Sequence, residues 1–104
     1  MSFEVVFSVA ADEDLQRLFD FLLDRAKTVE GLDQAQSAVE AIHAAVSHHL
    51  ATTPYSCRKA GKSPTRRELI IPFGASGYVA LYEIASVSRV VVLALRHQLE
   101  DDYH

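Results

Sequence analysis

The sequence predicts an α+β domain with the element order β-α-α-β-β-β, in which a helix hairpin packs on an antiparallel sheet. Up to about residue 50, apolar residues recur every three or four positions after a short alternating opening. After residue 66 the spacing becomes that of strands, and short connections between them favour antiparallel neighbours. We expect one domain spanning residues 1–104, because a chain of this length supports a single hydrophobic core.

The first half of the chain predicts a strand and two helices. Apolar residues at alternate positions of residues 3–7 indicate a strand with one buried face. A first helix is expected from Asp12, a suitable N-cap, to Lys27. Gly31 is expected to separate it from a second amphipathic helix that ends near Pro54. Two helices joined by so few residues form an antiparallel hairpin.

The second half predicts a loop and three strands. Residues 54–66 contain two prolines and a glycine among mostly polar neighbours, which is typical of a connecting loop. The β-rich runs that follow are Arg67–Phe73, Tyr78–Ile84 and Arg89–His97. Pro72 has no N–H to donate to a ladder, so it is expected at an edge or near the end of its strand.

Charge is distributed unevenly along the chain. The formal net charge is −4, yet residues 51–67 contain no acidic side chain and five basic ones: Arg58, Lys59, Lys62, Arg66 and Arg67. Such a cluster indicates either a solvated loop or a local basic patch that faces an anionic partner. Both interpretations stay open at this point.

Several classes of protein are disfavoured by the sequence. Cys57 is the single cysteine, and the histidines of the second helix lack the i, i+4 spacing of a metal pair, so we expect no metal site and no cofactor. There is no apolar run long enough for a membrane span and no secretory signal, so we expect a cytoplasmic protein. Phe21 and Leu23 lie beside the apolar stripe of the first helix and widen it, through a broad core contact or a partner surface.

Taken in order along nearly the whole chain, several segments resemble the ParE/RelE superfamily of bacterial type II toxins. They are residues 3–15, the helix pair, the basic Cys57-Arg-Lys, Arg66–Gly74, Tyr78–Tyr82 and Val90–His97. The resemblance implies a toxin of the plasmid-stabilization kind that a cognate, ParD-like antitoxin neutralises. It also implies one of two targets, since the ParE-like branch blocks DNA gyrase and the RelE-like branch cuts mRNA in the ribosome.

Cutting RNA through its 2′-hydroxyl needs a base, cations for the phosphate and an acid. The candidates are Glu68 or Glu83 as base, Arg67 and Arg96 for the phosphate, and His97 or Tyr103 as acid. Adjacent residues of a strand point to opposite faces, so at most one of Arg96 and His97 can share a site with Arg67. Arg96 could instead pair with Glu100 or Asp101, and Tyr103 could pack back on the sheet.

The sequence therefore favours a ParE-like toxin that inhibits DNA gyrase by binding and is not an enzyme. The residues expected to contact the target or the antitoxin are Arg58, Lys59, Arg66, Arg67, Arg96, His97 and Tyr103. The alternatives are a RelE-like, ribosome-dependent mRNA endonuclease that uses Arg67, Arg96, His97 and Tyr103, and a non-toxic adaptor domain of the same fold.

Overall fold

The computed structural model describes residues 2–100, 102 and 103, and within them two α-helices lie on a five-stranded sheet. In chain order the elements are β1 Glu4–Phe7, α1 Val9–Arg25, α2 Val29–Thr52, β2 Arg58–Lys59, β3 Arg66–Phe73, β4 Ser76–Ile84 and β5 Arg89–His97. A 3₁₀ turn, Pro54–Ser56, precedes the two-residue β2, where the sequence predicts only a loop. The predicted fold class is confirmed.

The strands lie in the order β1-β5-β4-β3-β2. The β3–β4 and β4–β5 pairs are antiparallel, as predicted, and the short β2 also pairs antiparallel with β3. β1 instead runs parallel to β5, with Val5 opposite Val90. The sheet is therefore mixed. The two helices supply the long crossover that a parallel pair requires. The chain thus brings its first strand back beside its last, and β5 becomes an interior strand.

The helices begin at hydroxyl caps. The Ser8 hydroxyl accepts a hydrogen bond from the Ala11 N–H, so α1 begins before Asp12, which lies in its first turn. The Thr28 hydroxyl accepts from the Gly31 N–H in the same way. Gly31 therefore lies inside α2, and the predictions of a cap at Asp12 and a break at Gly31 are wrong. The two helices are instead separated just before Thr28, whose hydroxyl can cap the free N–H groups at the start of α2.

The core lies between the helix pair and one face of the sheet. Its buried side chains come from both layers of the structure: Leu18, Ile42, Val46 and Leu50 from the helices, and Ile71, Tyr82, Val90, Val92 and Leu95 from the strands. We call the other side of the sheet the outer face. Within the described residues neither α1 nor α2 is long and apolar enough to cross a membrane.

A β-bulge interrupts the pairing of β4 with β5. Tyr82 lies opposite Val92, but the preceding residue of β4, Leu81, lies opposite Ala94. Leu93 is therefore an extra residue on β5. An extra residue reverses the alternation of side chains along the rest of the strand.

The bulge decides which way the end of β5 points. Residues directly opposite each other share a face, and Leu95 and His97 lie opposite Ala80 and Tyr78, which face the helices. Arg96 therefore points to the outer face. Uninterrupted alternation from Val92 would have placed Arg96 on the helix side instead.

The start of α1 holds the bulge in place. The Ser8 hydroxyl donates to the Leu93 carbonyl at 3.1 Å, and the Leu95 N–H donates to Asp14 Oδ2 at 2.9 Å. Asp14 is only 6% exposed and is the buried charged side chain of the described core. Buried polar groups are costly when unpaired, so this carboxylate binds the helix to one register of β5.

The β3–β4 turn brings two strand ends next to the helices. Gly74, the first residue of the turn, has a φ of +59°, which side chains with a Cβ rarely adopt. Pro72 is the second-last residue of β3 and lies opposite Gly77, in agreement with its expected place near a strand end. A Cβ at Gly77 would lie 2.2 Å from the Ile71 carbonyl oxygen, so only glycine fits there.

Asp14→Ala should lower the free energy of unfolding by about 1–3 kcal/mol, because the buried Leu95 N–H would lose its acceptor. Asp14→Asn keeps an oxygen at that position and should cost less. Asp20→Ala, which removes an exposed carboxylate of the same helix, is the matched control and should change little. Urea unfolding measures all three. Equal losses for Asp14→Ala and Asp20→Ala would contradict the anchoring function of Asp14.

Candidate functional site

The sheet divides the predicted site residues between its two sides. Arg67 and His97 lie opposite Tyr82 and Tyr78, so both face the helix side, and Lys59 lies beside Arg67 at the exposed edge. The residues on the outer face are Arg58, Arg66, Arg96 and Tyr103. The structure therefore does not bring Arg67, Arg96, His97 and Tyr103 together into one site.

On the outer face Arg96 binds the chain that follows it. Its Nη1 donates to the carbonyls of His97 and Gln98, each at 3.3 Å, and of Glu100 at 2.7 Å. The guanidinium carbon also lies 5.2 Å from the centre of the Tyr103 ring, within the range of a cation–π contact. Asp101, the other predicted partner of Arg96, lies outside the described residues.

Tyr103 packs back on the outer face, as one of the sequence interpretations has it. Its hydroxyl donates to Glu68 Oε2 at 2.5 Å. Val79 lies opposite Arg96 on the same face and is only 1% exposed. Burial raises the pKa of the Tyr103 hydroxyl, and the hydrogen bond to the Glu68 carboxylate raises that pKa further. Tyr103 is therefore held neutral as a donor.

Three arginines of the outer face, Arg58, Arg66 and Arg89, lie beside carboxylates. Arg58 Nη2 lies 3.1 Å from Glu68 Oε1, and Arg66 Nε lies 3.5 Å from Glu83 Oε1. At the start of the sheet, Arg89 Nη2 lies 2.8 Å from a carboxylate oxygen of Glu4. Partly exposed pairs of this kind add little stability, about 1 kcal/mol or less. They do cancel local positive charge, so the basic cluster of residues 51–67 does not form one continuous cationic patch.

Arg67 has a structural position on the helix side. Its Nη1 donates to the Cys57 carbonyl at 2.7 Å, and its guanidinium lies 5.3 Å from the Tyr55 ring centre. The Tyr82 hydroxyl, fully buried, donates to the Pro54 carbonyl. Burial raises the pKa of Tyr82 far above its ordinary value, and the nearby Cys57 thiol adds to the rise. These contacts attach the 3₁₀ turn and β2 to the sheet.

His97 is bonded through both ring nitrogens. Its Nδ1 accepts from the Leu99 N–H at 3.1 Å, and its Nε2 lies 3.0 Å from the Ser76 hydroxyl oxygen. Because Nδ1 accepts, the proton of the neutral ring is assigned to Nε2, which then donates to Ser76. A histidine in that tautomer does not act as a base towards Ser76, so the pair lacks the arrangement of an activated nucleophile.

An apolar cleft of about 600 Å³ opens next to His97, between α1 and the β3–β4 turn. Its large apolar lining residues are Leu18, Phe21, Leu22, Phe73, Tyr78 and Leu99. Phe21 is 53% exposed and Leu99 is 79% exposed, which is unusual for such large apolar side chains. At the rim, Arg17 Nη1 lies 3.3 Å from Glu100 Oε2. The cleft has the apolar floor and charged rim of a protein-binding surface.

The family model described as the ParE toxin of the type II toxin–antitoxin system, parDE, matches residues 5–102. The chain belongs to the ParE toxin family. A curated relative, Toxin RelE1 of Caulobacter vibrioides, is 35% identical over 96% of this chain and 98% of its own length. The chain also resembles a solved structure from a chromosomal ParDE system of P. aeruginosa, with a TM-score of 0.71 and 16% identity over 92% of this chain and 96% of that one.

Membership of the ParE family makes the chain a toxin of the ParE/RelE superfamily, with a cognate antitoxin as its partner.

Two features of the site were not evident from the sequence. Glu68 was considered only as a base, yet it connects Arg58 and Tyr103. The apolar cleft forms only when the β3–β4 turn packs beside α1, and the widened stripe at Phe21 was its sole signal. Within the described residues no group of three potential ligands can hold a metal ion.

The buried Tyr82 predicts a loss of stability at alkaline pH. Unfolded tyrosine ionises near pH ~10, whereas the folded chain holds Tyr82 neutral, so its contribution to stability is complete below that pH and falls above it. The expected contribution of Tyr82 to the slope is about 1.4 kcal/mol per pH unit. Urea unfolding between about pH 8 and pH 11 measures it. Tyr82→Phe should reduce the slope, and the exposed control Tyr55→Phe should keep it. An unchanged slope in Tyr82→Phe would contradict this assignment.

Proposed function

We propose that this ParE-family chain inhibits DNA gyrase by binding to it, without cutting RNA, and that a ParD-like antitoxin silences it in the cytoplasm. The separation of Arg67 and His97 from Arg96 and Tyr103, on opposite sides of the sheet, supports this function best. A nuclease needs its phosphate-binding cations and its acid around one phosphate. The four residues that the sequence suggests for that chemistry do not meet.

The charge of the outer face supports the same proposal. Arg58, Arg66 and Arg89 each lie beside a carboxylate, and Arg96 donates to main-chain carbonyls. Binding a structured RNA depends on cations that are available to phosphates. A formal net charge of −4 also weakens attraction to the phosphate-rich ribosome. Binding to a protein such as gyrase does not require cations that are available to phosphates.

We propose that gyrase contacts the exposed basic residues of β2, Arg58 and Lys59, at the edge of the sheet. The antitoxin is proposed to wrap across the helix pair and to fill the cleft at Phe21. That cleft exposes more apolar surface than the core contact of α1 requires, which is typical of a surface that a partner covers.

Purified chain should block supercoiling of relaxed plasmid by gyrase, and the concentration for half inhibition should rise in proportion to the gyrase concentration. That dependence distinguishes a binding inhibitor from a catalyst, which would act at far lower amounts than its target. In cells, expression of the chain alone should cause DNA breaks and leave mRNA uncut. The readouts are plasmid topology, DNA breaks and the 5′ ends of mRNA.

Two results would contradict this function. Messenger RNA cut within codons while DNA stays intact would identify the RelE-like endonuclease. The Caulobacter relative carries the name RelE1, so this alternative is tested alongside gyrase inhibition. Unaffected growth, with the folded protein demonstrated in the same cells, would identify a non-toxic adaptor.

Phe21→Asp should weaken binding of the antitoxin about 10-fold to 100-fold, because a charged group would replace an apolar anchor in the cleft. Calorimetric titration of the toxin with its antitoxin measures this change, and the growth arrest by the toxin alone should persist. Val87→Asp is the matched control, since Val87 is 82% exposed in the β4–β5 connection and lies outside the cleft lining. Equal effects of the two substitutions would remove the cleft from the antitoxin interface.

A further inference from the structure

The segment that follows β5, residues 98–100, is fixed by hydrogen bonds although it lies at the surface. We call it the exit turn. Each of its three N–H groups has an acceptor: the Gly77 carbonyl for Gln98 at 2.8 Å, His97 Nδ1 for Leu99 at 3.1 Å and the His97 carbonyl for Glu100 at 3.0 Å. Ordering a surface segment costs conformational entropy, and these bonds hold the exit turn in one conformation against that cost.

Arg96 holds the carbonyls of the same segment from the outer face. Its Nη1 donates to the carbonyls of His97 and Gln98, each at 3.3 Å, and of Glu100 at 2.7 Å. A terminal guanidinium nitrogen carries two hydrogens, so the three carbonyls share them. Because the donor is ionised, these bonds are stronger than those between neutral groups. Without Arg96 the carbonyl side of the exit turn would lose its donor.

The exit turn forms one wall of the apolar cleft on the other side of the sheet. Leu99 and Glu100 line the cleft together with Phe21 of α1. Glu100 Oε1 accepts from the His97 N–H at 2.8 Å, and Arg17 Nη1 lies 3.3 Å from Glu100 Oε2. The turn is therefore attached to β5 and to α1 as well as to Arg96.

Leu99 combines an exposed side chain with a fixed backbone. Its side chain is 79% exposed, yet its N–H is bonded to His97, and the carbonyls of Gln98 and Glu100 on either side of it are bonded to Arg96. An exposed apolar side chain on a fixed backbone is well suited to contact a partner, because little conformational freedom is lost on binding.

We propose that Arg96 is a positioning residue for the antitoxin: from the outer face it fixes the exit turn, so that Leu99 is preorganised as a wall of the cleft. This inference rests on the proposed function for the occupant of the cleft, which is the antitoxin. Arg96 itself touches neither the antitoxin nor a phosphate, and it acts through Leu99. A cation at the end of β5 is thereby used to hold the chain's own backbone.

The first test is amide hydrogen exchange at Leu99, measured by NMR on the toxin alone. The Leu99 amide should be protected in the unmodified chain. Arg96→Met keeps an apolar stem and removes the donors, so exchange at Leu99 should become at least about tenfold faster. Arg96→Lys has three N–H donors on one nitrogen and should retain the protection. Arg66→Met is the matched control, since Arg66 lies on the same face and pairs with the Glu83 carboxylate.

The second test is calorimetric titration with the cognate antitoxin. Arg96→Met should weaken binding about tenfold, because the antitoxin must then order the exit turn itself. Arg96→Lys should restore most of the affinity. In a Leu99→Ala background, Arg96→Met should weaken binding by less than about threefold, since the side chain through which Arg96 acts is gone. A general loss of stability would not depend on Leu99 in this way.

An unprotected Leu99 amide in the unmodified chain would overturn the proposal, whether or not the Arg96 variants fold. A full tenfold effect of Arg96→Met in the Leu99→Ala background would also overturn it, because Arg96 would then act without Leu99. Phe21→Asp separates this inference from the proposed function. If Phe21→Asp weakens antitoxin binding and Arg96→Met does not, the cleft remains the antitoxin site and the positioning role alone fails. If neither weakens binding, the antitoxin does not occupy the cleft and both proposals fail.

Discussion

The contact between the start of α1 and the bulged strand β5 is the constraint on which the other features depend. The Ser8 hydroxyl binds the carbonyl of the extra residue, Leu93, and the Asp14 carboxylate binds the N–H of Leu95, two residues further on. Since β5 lies between β1 and β4, its register also positions both neighbours. The same contact decides that Arg96 faces outward and His97 faces the helices. A buried carboxylate, costly by itself, is retained here because it selects one register among several.

The two sides of the sheet consequently acquire different chemistry. On the helix side, Arg67, Tyr82 and His97 are bonded within the fold, and an apolar cleft lies beside His97. On the outer face, arginines and carboxylates alternate around an apolar floor that Tyr103 covers. The first surface suits an antitoxin with apolar anchors. Among the described residues, Arg67 and His97 lie on the opposite side of the sheet from Arg96 and Tyr103, and this separation is the physical basis for favouring inhibition by binding.

The sequence was informative about elements and less so about their ends. The two helices and the three C-terminal strands follow from apolar spacing, and the family follows from the order of motifs along the chain. The start of α1 was misplaced because Ser8, four residues before Asp12, is already a capping hydroxyl. Gly31 was taken for a break, although the Thr28 cap places it in the first turn of α2. The parallel pairing of β1 with β5 depends on where the crossover ends, which local spacing does not specify.

By itself the sequence determined the class of fold, the order of its elements and the residues from which a site could be built, because helix and strand periods are local properties. It also determined that Arg96 and His97 lie on opposite faces, since adjacent strand residues must. Only the tertiary structure decided which face each one takes. That choice depends on a bulge held by hydrogen bonds across 85 and 81 residues of sequence, and no local pattern at Leu93 records them.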